Sequence, residues 1–349
     1  MMKRRPLLGL MGGAALGALS LGLSSSAALA QEVTLTLHHF LAAQANVPTH
    51  ILDVWADRVE EDSEGRIKVD RYPSMQLGGT PGELYDQAVS GSADVIWTVV
   101  GLTPGRFPST EVFELPFMVT DARAASHAYW TMFEESMQEE FADVKMIGTW
   151  VHGPGVIHTE DPVTQPSDLR GMQLRGPSRL TVQLLEALGA TPVGMPIAQT
   201  PESLSRGVIN GAVMPWEVTP SLRIPELVEN HTEFEGEMLY TVTFVLAMHQ
   251  PTYDALPDDL KAVIDANSGL EFSIFAGGTQ QDYDAPGREM AEEMGNNIIT
   301  IPAEEVAEWK ALAEPIYDRW IADMEGRGKD GQALIDRARE LMAEYEAAN

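Results

Sequence analysis

Arg175 ends the stretch Asp168-Leu169-Arg170-Gly171-Met172-Gln173-Leu174-Arg175, just ahead of Gly176-Pro177-Ser178. A guanidinium presents a rigid fork of donors that grips a carboxylate at two points. Residues 172–175 read as a short strand, opened by Gly171 and closed by the Gly-Pro-Ser turn. Ser178 is placed to cap a helix that follows. Arg175 then sits at the carboxyl end of a strand before a strand-to-helix turn, where open α/β sheets bind ligands. Taken alone, the stretch fits equally a surface arginine paired to an acid.

The strand-end rule collects further side chains. It gives His38, His39 and Phe40 after a first strand, Trp97 to Thr103 after a third, and Trp150 to His152 after a fourth. It adds Met195 to Ile197 and Met214-Pro215-Trp216-Glu217. The candidate binding residues are therefore Arg175, Trp216, Trp97, His39, His38, Phe40, Trp150, His152, Met214 and Ile197. This aromatic and thioether lining, with few charges, suits a flat or apolar body held by one ionic contact. His38 and His39 point to opposite faces, so at most one turns inward. Trp55 and Trp130 fall on helix faces and are expected in packing.

Catalytic constellations are missing. There is no G-x-S-x-G elbow, no H-E-x-x-H pair and no cysteine. No catalytic residue, metal site or cofactor is expected. A binding role is favoured over an exported hydrolase; a ligand-sensing protein is the other alternative.

The elements that must position these residues alternate. Residues 32–39 form a strand of period two, 48–61 an amphipathic helix, 67–72 a strand, 81–90 a helix and 93–100 a buried apolar strand. This β-α-β-α-β order demands a parallel sheet with right-handed crossovers. A helix at 123–141 and a strand at 144–151 complete a first lobe. A second lobe takes strand 172–175, helix 180–188, strand 191–195, helix 201–207 and strand 212–214. Residues 240–248 are β-rich and return to the first sheet. From Pro257 the chain reads as helical, over 258–275, 280–294, 303–324 and 331–348. The fold class is α/β, a two-lobe clamshell whose mostly parallel sheets are flanked by helices and joined by crossing strands and a hinge. Lobe I takes residues 31–152 plus about 240–278; lobe II takes 153–239 plus about 279–349, with the C-terminal helices.

Lys3-Arg4-Arg5, an apolar run to Leu23 and Ala28-Leu29-Ala30 have the form of a signal peptide (1–30) cleaved after Ala30. Export to the periplasm follows as an expectation. The whole chain carries 23 basic and 52 acidic residues. Three of those bases lie in the leader, leaving 20 − 52 = −32 for the mature chain. No basic stripe exists, so nucleic acid is excluded as a partner. So acidic a surface also repels anions, and any anion site must be local.

Several segments resemble the solute-binding subunits of tripartite ATP-independent periplasmic (TRAP) transporters, of the dicarboxylate-binding type. Gly65-Arg66-Ile67-Lys68-Val69 with Tyr72-Pro73-Ser74-Met75-Gln76-Leu77-Gly78 resembles the family's "GRI-x-V-x-x-YP-x-x-QLG". Leu115-Pro116-Phe117 resembles its "lPF", and Asp168 to Arg175 its "DLKGLKIR". Gly189-Ala190-Thr191-Pro192, Gly207-Val208-Ile209-Asn210-Gly211 and Pro251 to Pro257 resemble its later motifs. The resemblance implies that Arg175 pairs with a ligand carboxylate, and that small and large membrane permease subunits are partners. It departs at Asn210, where the family has Asp. It departs also at Gly155, paired with the second arginine of sialic-acid-binding members, and at Gln199-Thr200-Pro201. The expected ligand is a small-molecule carboxylate, favoured as a monocarboxylate with an aromatic or bulky apolar body. A C4-dicarboxylate or small 2-oxo acid is the alternative.

Overall fold

The alternation of Val33-Thr34-Leu35-Thr36-Leu37-His38 buries Leu35, Leu37 and His38 and makes the first strand of a computed structural model that describes residues 31–349. The leader expected at residues 1–30 lies outside the described residues. The chain then runs β1 (Val33–His38), α1 (Asp53–Asp62), β2 (Ile67–Tyr72), α2 (Leu84–Ser90), β3 (Val95–Val99), α3 (Ala122–Met132) and β4 (Val144–Val151). It continues with β5 (Val156–Thr159), β6 (Gln173–Gly176), α4 (Arg179–Ala187), β7 (Thr191–Gly194), α5 (Thr200–Ser205), β8 (Gly211–Met214), α6 (Thr219–Leu222) and β9 (Asn230–Phe234). The remainder is β10 (Thr243–His249), α7 (Gln250–Asp254), α8 (Asp258–Ala266), α9 (Leu270–Asp282), α10 (Asp284–Glu293), β11 (Asn297–Ile301), α11 (Ala303–Gly326) and α12 (Gly331–Ala348). Among the described residues no helix is long and apolar enough to cross a membrane.

Two mixed sheets result, ordered β2-β1-β3-β10-β4 and β11-β9-β5-β8-β6-β7. Each holds one reversed strand. β10 runs antiparallel to both β3 and β4, and β5 runs antiparallel to both β8 and β9. β5 follows directly on β4, and β10 on β9, so each of these crossing strands arrives head-on to its neighbours; β11 re-enters the second sheet through helices and runs parallel to β9. The two crossing segments also bind each other. The Gly155 N–H donates to the Tyr240 carbonyl at 3.1 Å, and the Thr241 hydroxyl to the His152 carbonyl at 3.0 Å. α9 packs on α3 and β4, whereas α10 packs on β11 and the turn after β8. α11 lies against α4 and α12 against α3, so the C-terminal helices touch both lobes.

The helix expected over 258–275 is interrupted at Asn267-Ser268-Gly269. Gly269 adopts φ 96°, a conformation that costs any other residue, and the chain restarts as α9. The helix expected from residue 280 starts at Asp284. β5, β9 and β11 were not expected. In β11 the run Ile298-Ile299-Thr300-Ile301 is β-branched, and it pairs parallel to β9 at the sheet edge.

His158 on β5 and His231 on β9 stand opposite each other, fully buried, with their Nδ1 atoms 2.7 Å apart. The His158 Nε2–H donates to the Met214 carbonyl at 3.1 Å, which leaves its Nδ1 to accept from His231. His231 Nε2 accepts from the Asn296 amide at 3.0 Å. Every nitrogen is used, and both rings are neutral. Burial pushes His231 down to about 4, and His158 well below its ordinary value by burial and then by its neighbour His231. A histidine held neutral when folded but free to protonate when unfolded contributes stability above about pH 6.5, lost as pH falls towards 4. Between pH 7 and pH 5, denaturant titration should show the native protein losing about 2 kcal/mol more than His231→Gln. Equal losses would contradict the neutral pair.

Candidate functional site

Arg175 is fixed by local chemistry on both sides. Gly171 takes φ 85° to open the turn into β6. The Asn210 side-chain oxygen accepts from the Gln173 N–H at 2.9 Å, and the Asn210 N–H donates to the Gln173 carbonyl at 2.8 Å. An amide oxygen at 210 thus accepts as an aspartate would. Ser178 caps α4, its hydroxyl accepting from the Thr181 N–H. The Arg175 side chain is 3 % exposed. Its Nε donates to the Met195 carbonyl at 3.0 Å and its Nη1 to the Val213 carbonyl at 3.1 Å. No carboxylate of the described residues lies within ion-pair distance of it, and burial pushes the guanidinium down to about 10. A buried cation lacking its anion is a costly arrangement that an anionic ligand relieves.

The guanidinium opens on a partly open cavity between the two sheets, with about 560 Å³ of atom-free space counting its solvent-filled mouth. Its wall is aromatic and apolar. Trp97 stacks on Phe40 at 4.6 Å between centroids and on Phe244 at 5.3 Å. Ile197 and Met214 contribute from the second sheet. The Trp97 Nε1 is buried with no hydrogen-bond partner. Two polar groups accompany Arg175. Tyr240 stands in its electrostatic reach, and His152 packs edge-on to Tyr240 at 5.5 Å. The His152 Nδ1 donates to the Gly153 carbonyl at 2.5 Å, and burial, ahead of the nearby Arg175, holds the ring down at about 4. The imidazole is therefore neutral, with Nε2 an acceptor. Elsewhere in the lining Glu217 accepts from the Gln280 amide at 2.7 Å and from the Asn46 amide at 3.3 Å. Burial pushes its carboxyl up to about 7.

Of the ten expected residues, the cavity brings together Arg175, Trp97, Phe40, His152, Met214 and Ile197. It does not take Trp216. The chain turns sharply after β8, so Pro215, Glu217 and Val218 face the cavity while Trp216 turns behind it. There Trp216 packs beside His158 and His231 and donates its indole N–H to Glu233 at 2.7 Å. Trp150 lies behind Trp97 at 6.3 Å, its indole N–H held by Gln280. His38 is structural: its Nδ1 meets the Gln87 side chain at 2.6 Å and its Nε2 accepts from Leu77. His39 is buried edge-on to Trp97 rather than lining the cavity, and burial holds it down at about 4.

Tyr240, Val242, Phe244 and Gln280 line the cavity without having been expected. Tyr240 and Val242 lie in the crossing segment and Phe244 in β10, the strand it leads into, whose return to the first sheet is legible in the sequence. A strand that passes between two sheets must floor the space between them. Gln280 sits in the last turn of α9, beyond the reach of a strand-end rule. Gly155 lies where the family resemblance pairs a second arginine. A Cβ there would stand 2.1 Å from the Tyr240 ring, so the phenol fills that space. Across the cleft mouth Arg179 of α4 pairs with Glu111 of the first lobe, and Trp320 donates to the same carboxylate at 3.2 Å.

Comparison with known proteins agrees with this geometry. The family model for bacterial extracellular solute-binding proteins, family 7, matches residues 38–323. A TRAP solute-binding protein from Rhodoferax ferrireducens T118, solved with copurified benzoate, is 48 % identical, with a TM-score of 0.89 over 90 % of this chain and 99 % of that one. A marine metagenome TRAP solute-binding protein specific for aromatic acid ligands, solved with 3-hydroxybenzoate, is 41 % identical, with a TM-score of 0.88 over 90 % and 99 %. A third, from Bordetella bronchiseptica with bound (R)- and (S)-mandelate, is 25 % identical, with a TM-score of 0.83 over 89 % and 99 %. With its two-lobe fold and interlobe cavity, the chain belongs to the bacterial extracellular solute-binding proteins of family 7, the solute receptors of TRAP transporters.

Proposed function

We propose that this protein is an exported receptor that captures an aromatic monocarboxylate between its lobes and delivers it to the small and large permease subunits of a TRAP transporter. The observation that carries this reading is a single buried guanidinium, without a counter-ion among the described residues, in a wall built mostly of aromatic and aliphatic side chains. In this reading Arg175 and the Tyr240 hydroxyl hold the carboxylate, and Trp97, Phe40 and Phe244 flank the ring with Met214 and Ile197. The ligands of the benzoate-, hydroxybenzoate- and mandelate-bound relatives support it. A C4-dicarboxylate is disfavoured, because Arg175 is the only basic residue other than the neutral His152 in the lining and a second carboxylate would meet Glu217 or an aromatic face.

Arg175→Ala should weaken benzoate binding by two to four decades in calorimetry, from the roughly 3–5 kcal/mol cost of a buried carboxylate left unpaired. Two carbonyls lose their donor while an unpaired buried charge is removed, so the two effects oppose each other and unfolding of the unliganded variant should stay cooperative. Wild-type affinity in that variant would remove the site. Benzoate should quench tryptophan fluorescence, largely through Trp97, and Trp97→Phe should lose most of the quench; tight binding of succinate with none of benzoate would overturn the aromatic reading. Saturating benzoate should shrink the radius of gyration in solution scattering as the lobes close, against an unchanged profile if they do not move.

A further inference from the structure

We propose that Glu217 reads a second substituent on the ligand, accepting a hydrogen bond from a ring hydroxyl while Arg175 holds the carboxylate. The inference rests on the aromatic-acid reading and adds a substituent that reading does not specify.

Three observations carry it. Glu217 is 6 % exposed and faces the cavity, where a carboxyl among apolar side chains is costly unless its lone pairs are used. Each of its oxygens takes one protein donor, from Gln280 and from Asn46, which leaves acceptor capacity on both. The polarity of this chain is also fixed. An indole N–H can only donate, so Trp150 commits the Gln280 oxygen at 2.9 Å, and Gln280 must turn its amide N–H towards Glu217. With its proton off, the group presented to the cavity is therefore an acceptor, and it asks for a donor rather than a carbonyl, an ether or a second carboxylate.

Position separates this group from the carboxylate end. Glu217 and Arg175 form no ion pair; Arg175 has Tyr240 and His152 for neighbours, and Glu217 has Gln280 and Asn46. Asn46 comes from the first lobe and Glu217 from the strand end of the second, so the acceptor is assembled across the two lobes. Burial raises the carboxyl to about 7, so the acceptor form is the one present above that pH, and the contact with a hydroxyl is read there.

The test is calorimetry with benzoate, the three hydroxybenzoates, their methyl ethers and 3-(aminomethyl)benzoate. One hydroxybenzoate isomer should bind about tenfold to a hundredfold more tightly than benzoate, and its methyl ether should not share the gain. In Glu217→Met the ratio of hydroxybenzoate to benzoate affinity should fall to about one. Should that variant not fold, Glu217→Gln keeps the shape but offers an N–H, and there the hydroxyl should lose its advantage over the ether. Equal binding of benzoate and all three hydroxybenzoates, or a hydroxyl gain that survives both variants, overturns the contact. Tightest binding of the aminomethyl acid replaces it with a charged pair. Binding of none of these acids overturns instead the aromatic-acid reading beneath it.

Discussion

Holding a cation out of water without its anion costs several kcal/mol, and folded proteins tolerate that only where something else compensates. Arg175 is held that way by two backbone carbonyls, which orient the guanidinium without neutralising it. Those carbonyls belong to Met195 and Val213, at the ends of the strands on either side of β6. The register of three parallel strands therefore aims one side chain. Lack of water keeps both the His152 imidazole and the Tyr240 phenol neutral; the Arg175 charge reinforces this at the imidazole and opposes it at the phenol. On a protein so acidic the surface field opposes an anion at longer range, so in the proposed reading capture depends on this one short-range contact.

The crossing strands give that contact its setting. Each enters its new sheet against the prevailing direction, and the two are tied to each other between Gly155 and Tyr240 and between Thr241 and His152. The same few residues thus form the joint between the lobes and part of the cavity wall. Movement of the joint and rearrangement of the wall are consequently one event. The contact of Asn46 with Glu217 and that of Glu111 with Arg179 bridge the lobes on top of it.

Much of this was legible in the sequence because it depends on local pattern. The β1–β3 order, the return of β10 and the strand, turn and cap around Arg175 all follow from periodicity and turn residues within a dozen positions. β5, β9 and β11 were not, since they carry polar residues, His158, His231, Asn230 and Asn297, that find their partners only across the folded sheet. The tryptophans divide for a similar reason. Trp97 and Trp216 both sit near strand ends, but one residue of turn geometry sends Trp216 to the far side, where two histidines and Glu233 receive it. Nothing in the order of residues announces which way such a turn rolls. Gln280 was invisible because its role comes from a helix docking on a sheet far away in the chain.

Gly155 bears on how such a receptor could change its ligand over evolutionary time. A side chain at that position collides with the Tyr240 ring, and Tyr240 belongs to the other crossing segment. An arginine gained at 155 alone would therefore displace the phenol before it could hold a second acid group. The phenol could be lost first only at the expense of the joint packing and of the existing cavity wall. The two positions form a coupled pair, and a lineage bearing this glycine and this tyrosine reaches a two-arginine cleft only by passing through a poorer receptor or by changing both residues together.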